Sequence, residues 1–150
     1  MLRQRFTETL KEAMKGKDEL AVSTTRLIIA KLKEHDIEAR GKGKESLADG
    51  EIQQMLQGMI KQRRESITLY EQGKRPELAE KERGEIAIIE RFLPKQMGDA
   101  DLETAAKAVI AAIGAQGMKD MGRTMAALRE RHAGEIDAAK ASQVVKRLLS

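Results

Sequence analysis

The constraint that most narrows the fold is the spacing of apolar residues, which recur at i, i+3, i+4 and i+7 almost from end to end. No stretch alternates apolar and polar side chains as a half-buried strand does, so the pattern predicts an all-α chain. The residues that fill the stripes point the same way. Aromatics make up 2% of the chain and proline occurs twice, leaving Leu, Ile, Val, Met and Ala to build the core. These residues, apart from β-branched Val and Ile, are strong helix formers.

Reading the stripes in order predicts seven helices. The first runs from Leu2 to Met14, with Leu2, Phe6, Leu10, Ala13 and Met14 inward, and Asp18 caps a second that carries Leu20, Thr24, Leu27, Ile28 and Leu32 to about Arg40. The glycines and lysines of "GKGKES" break periodicity there and predict a basic loop. A third helix, capped by Asp49, continues through Ile52, Met55, Leu56, Met59, Ile60, Ile67 and Tyr70 to Gly73. Pro76 suits a first helical position and Pro94 a stop, which frames a fourth helix burying Leu78, Ile86, Ile89 and Phe92. Gly84 inside it costs about 1 kcal/mol against Ala unless close packing requires it.

"PKQMGDAD", Pro94 to Asp101, reads as a linker, and shorter helices then fit Ala100–Ile113, Lys119–His132 and Asp137–Leu149. The expected organisation is an N-terminal helical domain of about four helices, residues 1–95, and a C-terminal three-helix domain, residues 96–150.

Composition also removes classes of chemistry. Without cysteine there are no disulfides, thiolate nucleophiles or Cys-based zinc sites, and the cytosol is the compartment expected. The first residues lack an apolar h-region, and every apolar run is interrupted by charge, so neither a secretory signal nor a membrane span is expected. His35 and His132 lie in no ligand-like spacing, no carboxylate pair stands out for acid–base work, and Ser, Thr and Tyr70 lack a recognisable base. No catalytic residue, metal or cofactor is expected.

"GMKDMGRT", Gly117 to Thr124, departs from the P-loop pattern only in having Arg123 for Lys. A phosphate-binding loop leaves a strand and enters a helix so that backbone amides converge on the anion. Here "AAKAVIAAI" precedes it, an alanine-rich helix, so Gly114 and Gly117 are expected to end that helix instead.

The remaining functional signal is cationic. Lys and Arg number 28 against 24 Asp and Glu, and a pI near 9.4 fits a phosphate-bearing partner. Two groups stand out: Lys119, Arg123, Arg129, Arg131, Lys140, Lys146 and Arg147 near the C-terminus, and Lys61, Arg63 and Arg64 on the third helix. The bland alternative for the second group is pairing with Glu65, Glu71 or acids of neighbouring helices. With so few aromatics to stack bases, backbone and shape recognition of folded RNA is the route left.

The segments "MIKQRRESITLYEQGKRPELAEKERGEIAIIERFLPKQM", "GMKDMGRTMAALRERHAG" and "DAAKASQVVKRLL", in this order, closely resemble the YqeY family of bacterial proteins over essentially the whole chain. Gly50, Gly84 and Gly98 depart from that pattern. The resemblance implies a C-terminal domain similar to the tail of the B subunit of the glutamine-dependent aspartyl/glutamyl-tRNA amidotransferase (GatB/YqeY), a tRNA-contacting appendage. It also implies a label of carbon-nitrogen ligase activity with glutamine as amido-N-donor, although kinase-like and amidase centres have no counterpart here. The expected role is therefore a non-catalytic accessory module whose partner is tRNA or a tRNA-processing protein complex. The rival is a protein–protein adaptor that docks through the third helix or through Met118, Met121 and Met125.

Overall fold

The computed structural model describes residues 1–150 and is all-helical. Its helices are α1 (Leu2–Lys15), α2 (Glu19–Gly41), α3 (Asp49–Gln72), α4 (Pro76–Glu90), α5 (Asp99–Ile113), α6 (Met121–Arg131) and α7 (Ala138–Leu149), with a 3-10 turn, Met118–Asp120, before α6. They fall into two compact units, Met1–Leu93 and Pro94–Ser150.

In the first unit α3 and α4 form a long antiparallel hairpin, α1 packs on α2, and α2 packs on α4. Phe6, Ile28, Ile52, Leu56 and Ile89 are all but fully enclosed at its centre. Phe6 meets Phe92 edge to face at 4.8 Å, and the Arg5 guanidinium lies over the same ring while donating to the carbonyls of Arg91 and Phe92. That closes the C-terminal end of α4, where no lysine or arginine occupies the last turn.

Local signals explain most boundaries. The Asp18 carboxylate accepts from the Ala21 N–H at 3.1 Å, and Pro76 occupies the first turn of α4. Asp49, expected as the cap of α3, is instead its first residue. Its carboxylate pairs with the Met1 ammonium, and Glu51 reaches back to the Ala48 N–H at 3.3 Å. Two expected core residues sit outside: Met14 is 52% and Leu27 48% exposed, because each lies at the edge of its stripe. Helix α4 ends at Glu90, four residues before Pro94, and residues 91–93 turn inward to bury Phe92 and Leu93.

In the second unit α5, α6 and α7 pack pairwise around Leu102, Ala106, Val109, Leu128, Ala141 and Val145. Gly114 ends α5 in the left-handed conformation at φ 67°. Gly117, expected to close that helix too, is extended and opens the 3-10 turn. Asp137 caps α7, accepting from the N–H groups of Ala139 and Lys140.

Candidate nucleic-acid interface

The C-terminal cations are positioned by α6 and α7, which bury Thr124, Met125 and Leu128, and Ala141 and Val145, so that intervening positions face outward. Lys119, Arg129, Arg131, Lys140 and Lys146 are exposed and make no ion pair. Arg129 and Arg131 occupy the last turn of α6, and Lys146 and Arg147 that of α7, where positive charge also offsets the negative end of the helix dipole.

The cations do not form a single stripe. At ~100° per residue, Arg129 and Arg131 leave α6 about 160° apart, on opposite flanks. Lys140 and Arg147 differ by only about 20° and lie about 10 Å apart along α7. Arg147 is additionally held by Glu103 of α5 at 3.3 Å.

Arg123 has a structural task. Its Nη2 donates to the Ile113 carbonyl at 2.9 Å, and its Nε stands 3.8 Å from Asp120. The Asp120 carboxylate in turn accepts from the Gln116 N–H at 3.0 Å, and the buried Thr124 hydroxyl donates to the Asp120 carbonyl. The loop that imitates a P-loop thus follows a helix and holds a carboxylate of its own.

On α3 the expected patch is divided. Lys61 is exposed. Arg63 is turned inward, with its side chain 13% exposed; its Nε stands 2.8 Å from Glu85 and 4.0 Å from Glu82, and its Nη1 donates to the Met59 carbonyl. It clamps α3 to α4, the pairing with acids of a neighbouring helix that the sequence offered beside the phosphate-binding reading. Arg64 stands 3.8 Å from Glu90. Burial, reinforced by the neighbouring Glu85 charge, raises the Glu82 pKa from its ordinary value, with Arg63 opposing.

A feature not anticipated from the sequence is a groove of about 500 Å³ in the first unit, between α2 and α3. Lys31 and His35 line it from α2, and Gln54, Met55, Gly58, Met59 and Gln62 from α3, with Leu47 and Glu51 at one end. The i, i+4 spacing of Lys31 with His35, and of Gln54, Gly58 and Gln62, was the available signal. Elsewhere no three His, Asp or Glu side chains cluster as a metal site would require, and no helix is long and apolar enough to cross a membrane.

A family model described as Yqey-like protein matches residues 3–149. The chain belongs to the YqeY family. Among curated relatives, this YqeY chain is 33% identical over 98 residues to altered inheritance of mitochondria protein 41 of Lachancea thermotolerans, covering 65% of the chain and 51% of the relative. It is 36% identical over 84 residues to the Candida glabrata protein of that name (56% and 45%), and 30% identical over 94 residues to that of Saccharomyces cerevisiae (63% and 49%). The chain spans about half the length of these relatives. All three are named as mitochondrial proteins, which overturns the cytosolic expectation. That expectation rested on absent cysteines and an absent apolar leader, and neither feature distinguishes one reducing compartment from another.

Proposed function

We propose that this YqeY protein is a non-catalytic helical accessory module that binds tRNA, or a complex that handles tRNA, through the cations of its second unit. The observation that carries the reading is that Lys119, Arg129, Arg131, Lys140 and Lys146 are all exposed and unpaired, in a unit whose other cations largely have carboxylate partners. Unpaired cations on rigid helices contact phosphates at little reorganisation cost and release counterions in doing so. Because they spread over more than one flank, they suit a folded backbone better than a single extended strand. The resemblance to the amidotransferase tail supports the same role, and we assign the carbon-nitrogen ligase label to the larger assembly. On this reading the purified chain carries out no glutamine-dependent amidation of mischarged tRNA.

Salt dependence and charge reversal test the proposal together. If about five phosphates are neutralised, affinity for tRNA falls by roughly two to three orders of magnitude between 50 and 200 mM salt. The Arg129→Glu, Lys146→Glu protein, altered only at exposed positions, should keep its helical spectrum and bind at least about tenfold more weakly. Undiminished tRNA binding by that variant eliminates the reading.

The adaptor alternative retains one specific observation, the 67% exposure of Leu69 on α3. The methionine route is weaker: Met125 is in the core, Met121 packs against it, and Met118 alone is exposed, at 45%.

A further inference from the structure

The α2–α3 groove has the composition of a small-ligand site. Helix α4 packs against both α2 and α3, which touch each other less extensively, and the groove lies between these two helices. Its volume, about 500 Å³, falls in the range of small-molecule pockets, roughly 300–1,000 Å³. The floor is apolar and adaptable, formed by the buried side chains of Met55 and Met59.

Each rim has one chemistry. On α3, Gln54, Gly58 and Gln62 follow at i, i+4 and i+8, so two amides bracket a glycine on one row of the helix. A Cβ added to Gly58 would meet nothing within 4 Å. Packing within the chain therefore gives no reason for a residue that costs the helix about 1 kcal/mol relative to alanine. What glycine does provide is room for a flat group to approach the helix backbone.

On α2, Lys31 and His35 form the opposite row. Lys31 is held only by an exposed pair with Glu34 at 3.5 Å, a weak contact that a stronger anion displaces. Glu51, at the groove's end, is already engaged by Lys44 at 3.2 Å and by the Ala48 N–H. Lys31 is thus the cation free to meet a ligand in the groove, beside the His35 ring, and apart from Met, Leu47 and Gly58 the other lining groups are the amides of Gln54 and Gln62.

We propose that this groove binds a nucleoside monophosphate unit, its base between the glutamine amides over the Met55–Met59 floor and its phosphate on Lys31 and His35. A glutamine amide donates and accepts in a plane, as the edge of an adenine requires. An amphipathic helix would instead need a long apolar trough to receive anchors at i, i+3, i+4 and i+7. The site is separate from the cations of the second unit, so either proposal can fail alone.

Chemical-shift titration of the full chain tests it, reading the Gly58 amide and the His35 ring. Adenosine 5′-monophosphate is expected to move both signals, and adenosine to bind roughly tenfold more weakly for want of the phosphate's contacts. Gly58→Leu places a side chain in the groove at a position where a Cβ meets no atom within 4 Å, and leucine favours the helix over glycine, so it should melt no lower than the parent and lose the response. Lys31→Gln with His35→Asn should weaken the monophosphate roughly tenfold and leave adenosine unchanged. A short single-stranded oligoadenylate binding more tightly than the free monophosphate identifies an RNA strand as the source; the reverse order identifies a soluble nucleotide. The proposal is overturned by the absence of any shift at millimolar monophosphate, by equal binding of nucleoside and nucleotide, or by a folded Gly58→Leu protein that binds as well as the parent. Shifts of the same signals on simple dilution, without ligand, would mean that a second copy covers the groove, and would overturn it too.

Discussion

Asp36 shows how a single carboxylate organises three pieces of chain. Arg3 donates to both of its oxygens, at 2.7 and 2.8 Å, and also to the Leu47 carbonyl, while the Leu47 N–H donates back to Asp36 at 3.0 Å. The fork ties α1, α2 and the loop before α3 together. The Arg3 hydrogen bonds, opposed by burial and aided by Leu47, lower the Asp36 pKa from 3.8 to about 2. Because the folded value lies below the unfolded one, the carboxylate contributes stability above about pH 4 that is lost as the pH falls towards 2. Asp36→Asn should therefore cost about 1–2 kcal/mol near neutrality, allowing for the solvent that reaches Arg3, and should flatten the stability profile between pH 4 and 2. Urea unfolding across that range measures both, and an unaltered profile would show that the fork contributes nothing. Thr24 and Thr25 present the opposite case, fully buried with hydroxyls that have no hydrogen-bond partner. Replacing Thr24 by Val removes a desolvated hydroxyl and should raise stability by about 1 kcal/mol. A loss of that size would mean that the hydroxyl finds a partner in solution.

At the scale of helices, four glycine-bearing segments carry different physics. Gly84 faces α2 so closely that a Cβ would lie 2.6 Å from the Leu20 Cδ2, so that an alanine there requires the end of the Leu20 side chain to move. Gly58 faces open space. Gly58→Ala should thus stabilise the protein by about 1 kcal/mol, whereas at Gly84 the same helix gain is offset by displacing Leu20 and a leucine there should cost about 2 kcal/mol or more. The turns after α1 and α3 use Gly-Lys with the lysine in the left-handed region, Lys17 at φ 55° and Lys74 at φ 57°. Exchanging Lys74 for Gly removes that strain and should gain about 0.5–1 kcal/mol, readable in the denaturation midpoint. The helices themselves were legible because their signals are local: Asp18, Pro76, Gly114 and Asp137 act within four residues of where they stand. Pairing of Arg63 with acids of a neighbouring helix was legible as an alternative, but not which acids, since Glu82 and Glu85 become neighbours only through the register of the α3–α4 hairpin. The groove was hidden for a similar reason. Lys31 and Gln62 share one space only through the packing of α2 beside α3, which neither stripe specifies in sequence.

For the molecule as a whole, the segment after Leu93 belongs to the fold of the second unit. The sequence reads Pro94 to Asp101 as a linker, yet its first half is fastened. The Gln96 amide donates to the carbonyls of Pro94 at 2.9 Å and Gly134 at 2.7 Å, and the Met97 N–H donates to the Glu135 carbonyl at 2.8 Å. These bonds fold residues 94–97 onto the turn between α6 and α7. The second unit has reason to need them, because its core leans on Ala105, Ala106 and Ala141, which bury little area each, and a segment of this size has little margin. Gln96→Ala should remove about 1–2 kcal/mol from the second unit alone. Amide hydrogen exchange of the full chain reads this directly: protection at Val109, Leu128 and Val145 should fall while that at Ile28, Leu56 and Ile89 holds. If protection fell equally in both sets, the chain would be one cooperative body, and the division at Leu93 would describe contact density without describing stability.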